Sequence, residues 1–179
     1  MRTRRKSLGM TMVETAVSVA ILASIAGGVA GVMRASGGLS RQSRANQIAS
    51  QHNRRALERI TNALRSASLD SLSGFDGSGL ATAPQFQPVT ATVGGLPVLG
   101  TSQTIQWYSQ KDPCGAANAG RIDVVKNGVR TCLADRVQSG GFRVVLSGST
   151  LKVFLTTYTP TAQGGLINAS GEASVTIRN

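Results

Sequence analysis

The chain has 179 residues, 41% of them hydrophobic and 4% aromatic, with 19 basic and 8 acidic side chains for a formal net charge of +11. This length suits one domain, two at most, and the apolar fraction is too high for a wholly disordered chain. Two cysteines and one histidine are too few for a disulfide-built scaffold or a His-rich metal site, and the scattered acids leave little for a catalytic carboxylate cluster.

The charge is unevenly placed. Residues 1–65 hold 11 basic and 2 acidic residues, whereas residues 66–179 hold 8 and 6. A basic surface attracts nucleic acid, but here the excess belongs to the N-terminal third. Arg2, Arg4, Arg5 and Lys6 stand ahead of residues 15–33, a run of 19 positions without a charge and rich in Ala, Val, Ile and Gly. That length reaches the lower part of the bilayer-spanning range, and basic residues before it predict a cytoplasmic N-terminus with the remainder exported.

Three readings fit residues 1–34. A secretory signal peptide has a basic start, an apolar stretch and small residues at a cleavage site, which Gly28-Val29-Ala30 could supply. A plain membrane anchor is the second. The third starts from Glu14, a carboxylate at the head of the apolar run, where burial towards the bilayer centre costs about 2.5–3.5 kcal/mol. A group so placed calls for a partner or a function.

The stretch Lys6-Ser7-Leu8-Gly9-Met10-Thr11-Met12-Val13-Glu14-Thr15 resembles the processing site of type IV prepilins and type II secretion pseudopilins. The resemblance implies that a membrane-embedded peptidase cuts between Gly9 and Met10 and methylates the new amine of Met10, with Glu14 as fifth mature residue. The family most often has Phe where Met10 stands. A Gly before the scissile bond offers no side chain to obstruct a peptidase. The cationic amine and the Glu14 anion are each costly in lipid, and together they neutralise one another. The resemblance implies that this pairing joins neighbouring subunits during assembly; the alternative for Glu14 is an interfacial side chain reaching the headgroups. Implied partners are other pilin or pseudopilin subunits, the prepilin peptidase/methyltransferase, an inner-membrane assembly platform and lipid. The implied location is the bacterial inner membrane, with a periplasmic head, and then a filament.

Within the run, Gly27, Gly28 and Gly31 lie close together, and Gly27-x-x-x-Gly31 has the spacing that lets another helix approach; a Gly-tolerant membrane helix explains the pattern equally well. These glycines, and Gly37-Gly38 beyond them, also weaken a helix and leave room for a bend. The expected segments are a leader over 1–9, a transmembrane and filament-core helix over 10–34 and an amphipathic helix over 35–70. In the last, Ala45, Ile48, Ala49, His52, Ala56, Ile60, Ala63, Leu64 and Ala67 form one apolar stripe at three- and four-residue spacing. His52 reads as a packed structural residue. Arg54, Arg55, Arg59 and Arg65 read as a solvated face or filament contacts, with DNA contact as the alternative. No aromatic residue precedes Phe75, so base-stacking platforms are missing from this region.

Residues 71–179 turn to Gly, Ser, Thr, Pro and β-branched residues. After a loop over 71–88, strands are expected at 89–93, 104–109, 121–126, 129–133, 142–146, 151–158 and 173–178. Asn127-Gly128 is a strong hairpin signal, and Ser147-Gly148-Ser149-Thr150 predicts a second turn. The fold class is therefore α+β: a long N-terminal helix, transmembrane and then amphipathic, packed on a C-terminal antiparallel sheet, the pilin architecture. In an exported head, Cys114 and Cys132 favour a disulfide over free thiols, one worth about 3 kcal/mol in the chain-entropy model. No metal site, cofactor motif or nucleophile motif emerges, so a non-enzymatic role is expected. The region from Arg55-Ala56-Leu57-Glu58-Arg59-Ile60 to Leu64-Arg65-Ser66-Ala67, with the ending Val175-Thr176-Ile177-Arg178-Asn179, looks similar to minor pseudopilins of the larger, J-like kind.

Overall fold

A computed structural model describes residues 11–109, 119–161 and 164–177. The chain divides into two compact units, Met1–Arg44 and Ala45–Asn179. One helix, α1 (Met12–Arg65), contributes to both.

The start of α1 has a local chemical cause. Thr11 stands where an N-cap belongs, and its Oγ1 accepts the Glu14 backbone N–H at 3.3 Å. Thr11-x-x-Glu14 is the capping-box pattern, and an acid in the first turn complements the positive end of the helix dipole. Gly27, Gly28, Gly31, Gly37 and Gly38 all lie inside the helix, which continues across them without interruption. The chain leaves the helix where the Ala67 N–H reaches the Leu64 carbonyl at 3.0 Å. A short 3-10 turn, Leu69–Ser71, follows.

Among the described residues of the second unit there are nine strands: β1 (Leu80–Ala81), β2 (Gln85–Phe86), β3 (Val89–Val93), β4 (Leu96–Leu99), β5 (Gln103–Ser109), β6 (Ala119–Lys126), β7 (Val129–Ser147), β8 (Thr150–Pro160) and β9 (Leu166–Thr176). Seven form an antiparallel sheet in the order β2-β5-β6-β7-β8-β9, with β1 beside β7; β3 and β4 form a separate hairpin. Both expected turns occur. Asn127 and Gly128 have φ of 52° and 78°, as a two-residue hairpin of the primed type requires. Ser147 pairs with Thr150 across Gly148-Ser149.

The strands at 129–133 and 142–146, expected as separate, are one 19-residue strand. Its middle carries irregularities: the register shifts between Gly120 and Asp123 on the β6 side and between Val137 and Phe142 on the β8 side. Arg136 sits at φ 53° and Gly140 at φ 71°. Bulges of this kind bend a strand without ending it. They let the first half of β7 pair with β6 and the second half with β8. The last strand begins at Leu166, not near 173; β4 was not expected at all, and the two-residue strands β1 and β2 lie inside the expected loop over 71–88.

The helix covers the sheet through Ala49, Asn53, Ala56, Leu57, Ile60, Thr61 and Leu64, all buried. The apolar stripe is thus rotated from the expected one: Ile48 is 58% exposed, and Asn53 and Leu57 take the inward positions. Ile60 and Leu64 meet Phe86, Ile105, Ile122, Val137, Val144, Leu151, Val153 and Leu155 in one core. Asn53 is the polar member of this face. Its Nδ2 donates to the Leu155 carbonyl at 3.0 Å, Thr157 Oγ1 at 3.2 Å and the Ala169 carbonyl at 2.8 Å. A buried amide is tolerated because these bonds replace water. Gly171 completes the contact, since a Cβ there would stand 2.5 Å from Asn53 Oδ1 and 2.9 Å from Leu57 Cδ1.

Candidate functional site

The N-terminal half of α1 is the most unusual surface of the first unit. Met12, Val13, Val17, Val19, Ile21, Leu22, Ile25, Val29, Val32 and Met33 are each at least half exposed. At 100° per residue these positions surround the helix and do not form a stripe. A helix apolar on all sides belongs in a protein core or a membrane. Its best 18-residue window has a mean hydropathy of 2.1, and none of that window is buried in the chain. The helix is therefore long and apolar enough to cross a membrane. Nineteen uncharged residues at the helical rise extend about 28 Å, close to the hydrocarbon thickness of a bilayer.

The polar side chains in this stretch are satisfied locally. Thr15 Oγ1 donates to the Met12 carbonyl at 2.9 Å, Ser18 Oγ to Glu14 at 2.8 Å and Ser24 Oγ to Ala20 at 2.9 Å. Such back-bonding removes the cost of placing a hydroxyl among apolar groups. The carboxylate of Glu14, exposed at the head of the run, is the one ionisable group between residues 11 and 33. Gly9 and Met10 lie outside the described residues. At Gly27, Gly28 and Gly31 an added Cβ would meet nothing within 4 Å. No described residue fills the space beside them within that distance.

The other sequence-selected residues fall in the second unit. Arg54, Arg55, Arg59 and Arg65 are all exposed. Arg54 pairs with Glu58 at 3.2 Å, an exposed pair of little energetic weight. Helical spacing puts Arg55 and Arg59 on one face and Arg54 and Arg65 on another, so the four do not form one continuous stripe. Cys132 is exposed and has no disulfide partner among the described residues. Its expected partner Cys114 lies outside the described residues.

Two pairings were invisible in the sequence. His52 Nε2 meets Asp135 Oδ1 at 2.6 Å, across 83 residues of chain. Asp123 is fully buried, with Oδ2 receiving Arg121 Nη2 and Nε at 2.9 Å each. Cys132 sits opposite Asp123 in the β6–β7 ladder. Although the residue is exposed, its thiol is partly desolvated, and this first, then the negative charges of Asp123 and Asp135, push it above the usual cysteine range. A thiol so held is a poor nucleophile at neutral pH. Among the described residues no three His, Cys, Asp or Glu side chains gather as metal ligands.

No protein-family model, curated protein or solved structure matches the chain.

Proposed function

We propose that this chain is a minor pilin or pseudopilin: a non-enzymatic, membrane-anchored subunit of a type IV pilus-like filament or of a type II secretion pseudopilus. The observation that carries the reading is the division of α1. Its first half presents bare apolar side chains on every side, while in its second half one face, Ala49, Asn53, Ala56, Leu57, Ile60, Thr61 and Leu64, is buried against an antiparallel sheet. The motif around Gly9 and Glu14 supplies the processing step.

In this reading the helix rests in the inner membrane with its N-terminus cytoplasmic and its head periplasmic. It leaves lipid when neighbouring helices cover it. Lipid is as apolar as another helix, so close packing and the Met10 amine–Glu14 pair choose the neighbour. Mass analysis of the purified mature chain is expected to show a start at Met10 with a methylated amine. Glu14→Ala is expected to keep membrane insertion and lose filament incorporation. A mature start near Gly31, or normal incorporation of the Glu14 variant, would overturn the proposal. The DNA-binding alternative keeps the same anchor and rests on Arg55 and Arg59, exposed with no ion pair among the described residues. Salt-dependent retention of duplex DNA by the full chain would favour it.

A further inference from the structure

The first unit carries a second exposed feature just beyond the apolar run. Arg34, Arg41 and Arg44 are exposed, and among the described residues none of them has an ion pair or side-chain hydrogen bond. From Thr15 to Leu57 the sequence contains no carboxylate at all. At 100° per residue the three arginines fall within a sector of about 80° on one helix face. Gly37 lies inside the same sector, with nothing within 4 Å of an added Cβ, so no bulky side chain stands between Arg34 and Arg41.

We propose that Arg34, Arg41 and Arg44 bind the phosphate headgroups of anionic phospholipids at the membrane face where α1 emerges. The proposal rests on the membrane-anchored reading of the chain. Charge complementarity selects the occupant: three guanidiniums without an ion pair among the described residues, no carboxylate along the helix from Thr15 to Leu57, and an apolar run that ends at Met33, one residue before the first of them. Guanidinium is a fork-shaped donor that matches phosphate oxygens in pairs.

Helix geometry strengthens the assignment. Side chains of an α-helix lean towards its N-terminus. For arginines that follow a spanning segment, this direction points back at the bilayer. Arg41 lies about 10 Å and Arg44 about 15 Å along the axis from Arg34. The headgroup layer is about 5–8 Å thick on each side of the hydrocarbon. Arg34 stands at its inner boundary, and the longer reaches of Arg41 and Arg44 are shortened by the backward lean of their side chains. The three contributions therefore decrease in the order Arg34, Arg41, Arg44, because the surface field fades over a screening length.

The test reconstitutes the full chain into vesicles of equal phosphatidylcholine and phosphatidylglycerol. The protein is then extracted in mild detergent at limiting lipid, and mass spectrometry quantifies the phospholipid that remains bound. Phosphatidylglycerol is expected to be enriched over its bulk ratio at low salt, with the enrichment shrinking as salt rises. Each neutralised arginine is expected to lower it by up to about five-fold, Arg34→Gln most and Arg44→Gln least. The triple glutamine variant should return to the bulk ratio, whereas Arg54→Gln/Arg55→Gln should keep the enrichment. A bulk ratio in the wild-type chain, an enrichment that survives the triple substitution, or displacement of the bound lipid by a short DNA duplex would each overturn the proposal. Alkaline carbonate extraction separates the two levels. A chain released by carbonate refutes the membrane-spanning reading and this proposal with it, while a chain that stays inserted at the bulk lipid ratio refutes this proposal alone.

Discussion

Replacing Gly171 by Ala tests how the helix is seated on the sheet. Gly171 does not have a positive φ, so alanine meets no backbone strain there and the effect is purely steric. The new methyl carbon would stand 2.5 Å from Asn53 Oδ1, 2.9 Å from Leu57 Cδ1 and 3.6 Å from Asn53 Cγ. Leu57 can rotate, but the Asn53 amide is fixed by its donations to Leu155, Thr157 and Ala169. Turning Asn53 aside loses about 0.5–1.5 kcal/mol for each such bond and leaves buried carbonyls short of a donor. Keeping Asn53 in place forces the helix outward, and overpacking of this kind costs about 1–3 kcal/mol. We expect a loss of about 2–3 kcal/mol, read as a lower urea midpoint of the full chain in detergent with the slope unchanged. The double variant Gly171→Ala/Asn53→Ala should be less destabilised than the sum of its singles, because the nearest obstacle has gone. A Gly171→Ala chain within 0.5 kcal/mol of wild type, a range typical of surface changes, would refute the argument.

Other outcomes follow from local chemistry. The reduced Cys132 thiol should react with iodoacetamide more slowly than a free cysteine peptide at pH 8, and Asp123→Asn should speed the reaction, since one negative neighbour has gone. Asp76 Oδ1 accepts the backbone N–H groups of Ser78 and Leu80 and the Ser78 hydroxyl, at 2.9, 2.8 and 2.6 Å. The Ser78 hydroxyl first, then the Leu80 N–H, lower its pKa. Its folded pKa lies below the unfolded one, so the stabilisation is present above the ordinary aspartate pKa and disappears as pH falls through the lowered value. An Asp76→Asn chain should show a smaller loss of stability between neutral and acid pH, measured by urea midpoints. Gly120 lies under the Trp107 ring, and an added Cβ would collide with it. Gly120→Ala should therefore displace the single tryptophan and shift its fluorescence emission.

The sequence made some of this legible and hid the rest for identifiable reasons. Asn127-Gly128 was readable because two adjacent positive φ values admit few residue types. The apolar run and Glu14 were readable because composition alone marks them. The break expected within β7 spans Asp135, Ser139, Gly140 and Gly141, residue types that favour turns. The chain instead uses Arg136 and Gly140 as bulge positions. The first half of β9, Leu166 to Ser170 with Gly171 next, has weak strand character, and its pairing is set by β8 and by the helix that Gly171 admits. The helix stripe was misphased because Asn53 is polar by type and buried by partnership. Those partners lie 102 to 116 residues away, and His52 meets Asp135 at a similar remove. No spacing rule reaches so far along a chain.

The back-bonded hydroxyls of Thr15, Ser18 and Ser24 have a consequence for transfer between environments. Each already donates its one proton to a carbonyl of its own helix, so none needs an acceptor from outside. Exchanging one apolar surrounding for another then breaks no hydrogen bond along residues 15–33, and the free energy of exchange reduces to shape and dispersion. Such a segment behaves as a bearing surface. It resists water strongly but carries no polar latch that would favour one dry medium over the next, leaving Glu14 as its single polar index mark.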